Sequence, residues 1–474
     1  MARSTKLILI AITLLALFLR LFRVGQPDFK EEEFTSLKAA AYLTYCWQDS
    51  ANCRHTPKTL KSRFLALVLN NETIPNLVSE IYLWDFVKDA PSDTHYARAW
   101  PYLTALAGVY YTFGISEFTS RLIAVLSGTL LVGFSYFFAR FFTGSKKLAL
   151  LLSFLVAVSF PLIDLSRYAR FYSLFGLVFL GAVYFIFKLI KKPKNPKLWL
   201  AAGLLLLFSY WLQLLTLLLP AALLIYSFFY GRKLFWWLLA ALLLLAGFSL
   251  YSGINFFHPY FISLHQPYWQ YLSFMPEFVL VVLALPKLVT RPKTAYLSLI
   301  VFTSLVFLIF FSKLPPASAY LAHLLPLILL LALISAKLLF ERSRPLIVLT
   351  WSALIFFSLW RLAGGVRYLY FGRDDRSQLR SAYQLILDRF EAGDQIAGVQ
   401  VRDYYLKDLP GQTQILDLTA TDAATLAPGT FITWEKEKAV RLEPETIGYI
   451  KTRAQKLAGD SLDDYGVEIY FLPK

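Results

Sequence analysis

The sequence predicts a polytopic α-helical membrane protein with about eleven to twelve hydrophobic segments, followed by a C-terminal soluble α/β domain. Three observations carry this. Hydrophobic residues make up 57% of the 474 and charged residues only 16%, less charge than a soluble chain of this length carries. Apolar runs of spanning or near-spanning length recur up to residue 363. After Tyr370 the composition changes abruptly to a mixed, charged pattern. The expected division is a membrane domain over 1–371 and a tail domain over 372–474.

The first apolar run, within 7–24, follows Arg3 and Lys6 as a signal peptide would. Arg20 and Arg23 sit at its end and no small-residue cleavage site follows, so it reads as an uncleaved first span. Further runs lie near 99–114, 121–142, 148–164, 171–190, 198–212, 215–230, 234–254, 274–290, 295–312, 319–340 and 346–363. Basic loops set the orientation. Arg3 and Lys6 place the N-terminus in the cytoplasm, with Lys146, Lys188, Arg232, Lys287, Lys337 and their basic neighbours on the same side. Twelve crossings would return the tail to the cytoplasm. Eleven leave it outside, so the shortest run, 99–114, is expected to be a re-entrant or interfacial helix. The first loop (25–98) and the tail are then extracytoplasmic, as are Ser166–Phe171, Gly253–Tyr271 and Ser312–Tyr320. The expected location is the cell membrane.

The net charge of +16 comes mostly from Lys and Arg in short loops between spans. That is the pattern of cytoplasmic loops facing anionic lipid, so the expected partner is the bilayer and not nucleic acid. The first loop is too patterned for a connector: 60–69 and 77–87 read as amphipathic helices lying on the outer leaflet. Cys46 and Cys53, the chain's two cysteines, share this loop. An oxidising compartment favours a disulfide between them, the alternative being two free thiols. In the tail, 376–390 has helical periodicity, and the stretches after Gly393, at 415–418, at 430–434 and at 467–471 read as short strands. A small α/β domain fits, with no Gly-rich phosphate loop or catalytic constellation.

Just after the first span comes Asp28-Phe29-Lys30-Glu31-Glu32-Glu33. Adjacent carboxylates beside a span are costly unless they face water or a ligand. They read either as a solvated flank or as acid–base groups reachable by a lipid-linked substrate. Two further stretches are more specific than hydropathy: Trp100 to Leu122, continuing through Gly128 to Arg140, and Ser166-Arg167-Tyr168-Ala169-Arg170-Phe171-Tyr172-Ser173. Together with the acidic group, they resemble the GT-C superfamily of membrane glycosyltransferases, closest to the branch of protein O-mannosyltransferases and the lipid A aminoarabinose transferase. The likeness covers about the first 190 residues well and the rest by layout.

This resemblance implies an inverting transfer of a monosaccharide (hexose or pentose) from a polyprenyl-phosphate donor to an acceptor hydroxyl on protein, lipid or glycan. The family's first loop carries Asp-Glu, with the Asp as base. Here the register falls on Glu31-Glu32 or Glu32-Glu33, so Glu32 is the expected base, with Glu31 and Glu33 as alternatives. A carboxylate must deprotonate the acceptor on the face opposite the leaving group, and the departing phosphate needs cations or hydrogen-bond donors. The candidates are Arg98, Arg167, Arg170 and Lys313, with Tyr172, Tyr320 and His323. Arg grips phosphate bidentately, whereas Lys acts as a point charge.

Each candidate has a plainer explanation. Arg98, Arg167 and Arg170 serve equally as interface anchors, the latter two sharing one face if their segment is helical. His323 lies one turn inside an apolar run, where a packed core histidine is ordinary. Asp93 and His95 form either a second acidic element near the acceptor or a solvated loop. His258 and His265, seven apart without a neighbouring carboxylate, are a weak metal signal. No DxD motif accompanies the glutamates, so no obligatory cofactor is expected, and a divalent metal remains an open alternative. The rival functions are a lipid-linked sugar transporter or flippase and a non-catalytic homologue; the sequence shows no internal repeat or paired broken helices of the transporter kind.

Overall fold

The fold comes from a computed structural model, which describes residues 3–25, 33, 36–37, 39–41, 44, 99–231, 236, 276–310, 318–371, 383–391, 393–399, 415–419, 421–435, 442–458 and 467–474. Two compact units emerge. Among the described residues, one holds 3–24, 44 and 99–365; the other holds 25, 33–41 and 366–474.

The first unit is helical. Helix α1 (Arg3–Leu21) packs against α3 (Glu117–Thr143) and α4 (Lys146–Val158). The short α2 (Trp100–Phe113) buries Tyr102, Leu106 and Tyr110 and exposes Phe113. Its 14 residues rise about 21 Å, short of a bilayer's hydrocarbon core of about 30 Å. Sequence punctuation explains the boundaries of α3. Ser116 accepts from the Thr119 amide while Thr119 Oγ1 accepts from the Ser116 amide, a reciprocal cap. At the other end Gly144 adopts a left-handed conformation at φ 70° and returns its N–H to the Arg140 carbonyl.

Next come α5 (Phe160–Ser166), α6 (Tyr172–Lys191), α7 (Pro196–Leu212) and α8 (Leu218–Tyr230). After them come α9 (Pro276–Val289), α10 (Pro292–Phe310), α11 (Ser318–Leu321), α12 (Leu325–Leu339) and α13 (Arg344–Phe371). Among the described residues, α1, α3, α6 and α13 are long and apolar enough to cross a membrane, and α4 with α5 makes a fifth if that bent pair is one span. Apolar side chains outside the core, such as Leu14, Leu130 and Trp360, suit a lipid-facing surface and not a water-facing one.

Two runs expected as continuous spans are broken. Residues 148–164 form α4 and α5, bent by 58°. Pro161 has no N–H for the Ala157 carbonyl and its ring would collide with that carbonyl in a continuous helix, and Ser159 is extended at φ −65° and ψ 112°. The run 319–340 is interrupted by a turn between α11 and α12, with Pro326 in the first turn of α12. Helix α13, in contrast, continues eight residues past the apolar run that ends at 363.

The second unit contains a five-stranded sheet in the order β2-β1-β3-β5-β4, with β1 Gln395–Val399, β2 Ile415–Asp417, β3 Thr430–Glu435, β4 Gln455–Ala458 and β5 Val467–Phe471. The β2, β1 and β3 strands are parallel, with Ile396 opposite Ile415 and Phe431; β3, β5 and β4 are antiparallel, with Ile432 opposite Tyr470. Alternation along β3 covers both faces. Ile432 joins Ala397, Leu426, Ile450 and Tyr470 on one side, where α14 (Pro444–Arg453) packs. Phe431 meets Phe390 and Phe471 on the other. The sequence reading finds four of these strands; β4 and α14 escape it because their apolar residues are few.

Candidate active site

The chain from Ser159 to Tyr172 is organised by a buried arginine. Arg20, in the last turn of α1, is fully enclosed. Its Nη1 donates to the Ala157 carbonyl at 3.3 Å and its Nη2 to the Val156 carbonyl at 3.4 Å. The break after α4 strands these carbonyls, since a helix leaves its last four without intrahelical donors. Arg20 also donates from Nη1 to its own helix at Ala16 O (3.1 Å) and from Nε to Ser166 Oγ (3.2 Å). Ser166 Oγ receives a second hydrogen bond from Ser173 and donates to the Leu162 carbonyl. Gly128 makes room: a Cβ there would lie 2.0 Å from Ser166 Oγ and 3.0 Å from Arg20 Nε.

Two more buried arginines hold the exit of α1. Arg167 Nη1 donates to the Arg20 carbonyl at 3.1 Å and the Phe22 carbonyl at 2.6 Å. Arg121, from α3, donates to the Val24 carbonyl at 2.8 Å. A guanidinium on terminal helix carbonyls both supplies the missing donors and complements the negative end of the helix dipole. These contacts fix the course of the chain as it leaves α1.

The segment 167–171 is a turn and not a helix, so Arg167 and Arg170 do not share a helical face. Arg167 reaches back to α1. Arg170, also buried, places its guanidinium carbon 5.6 Å from the centre of the Phe171 ring and 5.9 Å from that of Tyr172. Tyr172 opens α6 and lies parallel to Tyr168, with ring centres 6.4 Å apart, and edge-on to Tyr320 at 6.3 Å. One turn along each element, His323 is enclosed between Phe175 at 4.9 Å and Phe179 at 4.8 Å. Neither of its ring nitrogens has a hydrogen-bond partner among the described residues. Arg170, Tyr172, Tyr320 and His323 therefore share one neighbourhood, with His323 at its apolar end.

Glu33 is helical and fully buried, within the second unit. Glu31, Glu32, Asp93, His95, Arg98, Lys313, Cys46 and Cys53 lie outside the described residues, as do 60–69, 77–87, His258 and His265. Arg20 and Arg121 were missed as functional candidates. Their signal is a charged residue inside or beside an apolar run, but their carbonyl partners are up to 137 residues away and invisible to spacing.

Fold and site together define a polytopic membrane protein, a helical bundle with an arginine–tyrosine cluster at one end and an appended α/β unit. The chain has the fold of ArnT from Cupriavidus metallidurans. With the structure of that protein bound to undecaprenyl phosphate it shares a TM-score of 0.61 at 14% identity, over 99% of this chain and 98% of that one. With the apo state the values are 0.60 and 13%, over 98% and 97%. A comparison with protein-family models finds no match, and neither does one with curated protein sequences.

Proposed function

We propose that this protein is a glycosyltransferase that moves a monosaccharide from a polyprenyl-phosphate donor to an acceptor hydroxyl outside the cytoplasm, with inversion at the anomeric carbon. The observation that carries the reading is the end-to-end match to an ArnT structure holding undecaprenyl phosphate. The cluster at the start of α6 adds chemical support: Arg170 offers a charge-assisted grip on phosphate, and Tyr172 and Tyr320 offer hydroxyl donors. Both are what a departing phosphate requires.

In the proposed reaction Glu32, or its neighbour Glu31 or Glu33, takes the acceptor's proton. The acceptor oxygen attacks the anomeric carbon, the bond from that carbon to the phosphate oxygen breaks, and polyprenyl phosphate departs as the anion. Arg98, Arg170 and Lys313 hold the donor phosphate, and Asp93 and His95 face the acceptor. Arg167 is engaged with the α1 carbonyls and acts by holding the turn that carries Arg170. The sugar-bearing face is extracytoplasmic in this reading, as is the tail.

Broken helices such as α4–α5 and α11–α12 also occur in transporters, so the test must separate transfer from transport. Purified full-length protein is incubated with a radiolabelled polyprenyl-phosphate sugar and a membrane extract, and release of polyprenyl phosphate is followed. Wild type is compared with Glu31→Gln, Glu32→Gln and Glu33→Gln. Loss of about 10²–10⁴ in turnover with donor binding retained identifies the base. Donor binding without turnover in wild type, across a panel of sugars and acceptors, rejects the reading in favour of transport or a non-catalytic homologue.

A further inference from the structure

At the end of α6 opposite Tyr172, lysines from the termini of α6 and α10 lie on aromatic rings that include Phe141 at the end of α3. The 20 residues of α6 separate this place from the arginine cluster by about 30 Å, close to the hydrocarbon thickness of a bilayer. Lys188 Nζ lies 4.3 Å from the centre of the Tyr184 ring and 5.6 Å from that of Phe141. From the start of α10, Lys293 Nζ lies 5.2 Å from the centre of the same Phe141 ring and donates to the Phe141 carbonyl at 2.9 Å. Lys191 stands 5.6 Å from Phe187. Tyr184 and Phe187 themselves pack on Phe141, at 5.0 and 6.1 Å.

Part of this is ordinary helix capping, since Lys293 satisfies a terminal carbonyl of α3. Capping does not account for the remainder. Lys188 is half-buried against rings, whereas a long cationic side chain at a water boundary normally extends into water. No carboxylate among the described residues lies within ion-pair distance of Lys188, Lys191 or Lys293. Lys146 and Lys147, at the start of α4, and Lys192 and Lys194 add exposed positive charge. The result is a cationic rim over apolar rings, without a paired carboxylate among the described residues and about one hydrocarbon thickness from the arginine cluster. Its complement is a molecule with an anionic head and an apolar body.

We propose that Lys188, Lys191 and Lys293 form a binding site for the headgroup phosphate of an anionic glycerophospholipid, with Phe141, Tyr184 and Phe187 packing against its glycerol and upper acyl region. Lysines contribute as point charges, and basic pockets between spans are a known means of headgroup recognition. The site is separate from the proposed donor site and does not depend on that reading. The lipid it holds would tie the ends of α3, α6 and α10 together.

The test uses the full chain in neutral detergent. Thermal unfolding is followed while phosphatidylglycerol, phosphatidylcholine or inorganic phosphate is titrated in. Phosphatidylglycerol is expected to raise the midpoint saturably, an effect weakened by high salt, and the other two are not. Lys191→Gln, at an exposed position, should weaken the apparent phosphatidylglycerol affinity about fivefold, and Lys188→Gln/Lys191→Gln/Lys293→Gln about a hundredfold, from the usual contribution per lysine. The triple Lys→Arg variant keeps the charge and should keep the response, which separates charge from folding. An equal response to phosphatidylcholine, an equal response to inorganic phosphate, or unchanged affinity in Lys191→Gln would each overturn the proposal.

Discussion

Replacing Arg20 by Met keeps most of the stem's volume and removes the guanidinium, and the structure sets the size of the effect. Arg20 serves four acceptors: the carbonyls of Ala16, Val156 and Ala157, and Ser166 Oγ. Ser166 Oγ retains its bonds to Leu162 and Ser173, and the Ala16 carbonyl still faces its own helix. The Val156 and Ala157 carbonyls sit at a helix break inside the bundle and lose the donor that reaches them. An orphaned buried polar group costs about 1–3 kcal/mol, so two cost about 2–6 kcal/mol. Reversible unfolding of the purified protein in mixed micelles, followed by tryptophan fluorescence, reads this directly. Arg20→Lys should fall between, because one ammonium cannot span the fork that a guanidinium covers. A loss below about 0.5 kcal/mol for Arg20→Met, the range of an uninvolved surface substitution, would refute the idea that Arg20 splices the α4–α5 break.

Gly128→Ala forces Ser166 or Arg20 to move, because the new Cβ would lie 2.0 Å from Ser166 Oγ; a cost of about 1–3 kcal/mol is expected in the same assay, and a neutral result would deny the close approach. Glu277, buried at the start of α9, is paired with Arg361 of α13 at 3.3 Å. Removing Arg361 alone leaves a buried carboxylate uncompensated, so Arg361→Met should destabilise more than Glu277→Leu and Arg361→Met combined, and a double-mutant cycle should give a coupling of about 1–3 kcal/mol. Additive single effects would reject the pairing. In the second unit Lys474 donates to Glu391 at 2.7 Å and pairs with Asp394 at 3.1 Å. The hydrogen bond to Glu391 and then the contact with the Asp394 carboxylate raise its pKa above the ordinary lysine value. The resulting stabilisation is present below the unfolded pKa and is lost as pH rises through the raised one. The midpoint difference between wild type and Lys474→Met should therefore shrink at strongly alkaline pH, and a constant difference from pH 8 to above 11 would contradict the assignment.

The amino-acid sequence by itself determined the class of molecule. A chain with long apolar runs and little charge has one low-energy way to satisfy its backbone in lipid, as helices, and the alternation in 395–399 and 430–435 sufficed to place strands in the tail. It also brought Arg170 and Tyr172 to notice as neighbours in sequence, and these remain together in space. The tertiary structure decided what those runs do. Pro161 alone marks a place where a helix is weak, but Arg20, more than a hundred residues earlier, supplies the donors at the break. Arg167 and Arg170, three residues apart and alike in sequence, part company because one finds the terminal carbonyls of α1 and the other the rings beside Tyr172. Hydropathy and spacing describe what a residue prefers as solvent. They do not say which distant carbonyl or ring will satisfy its charge once water is excluded, and at this site that choice sets the geometry.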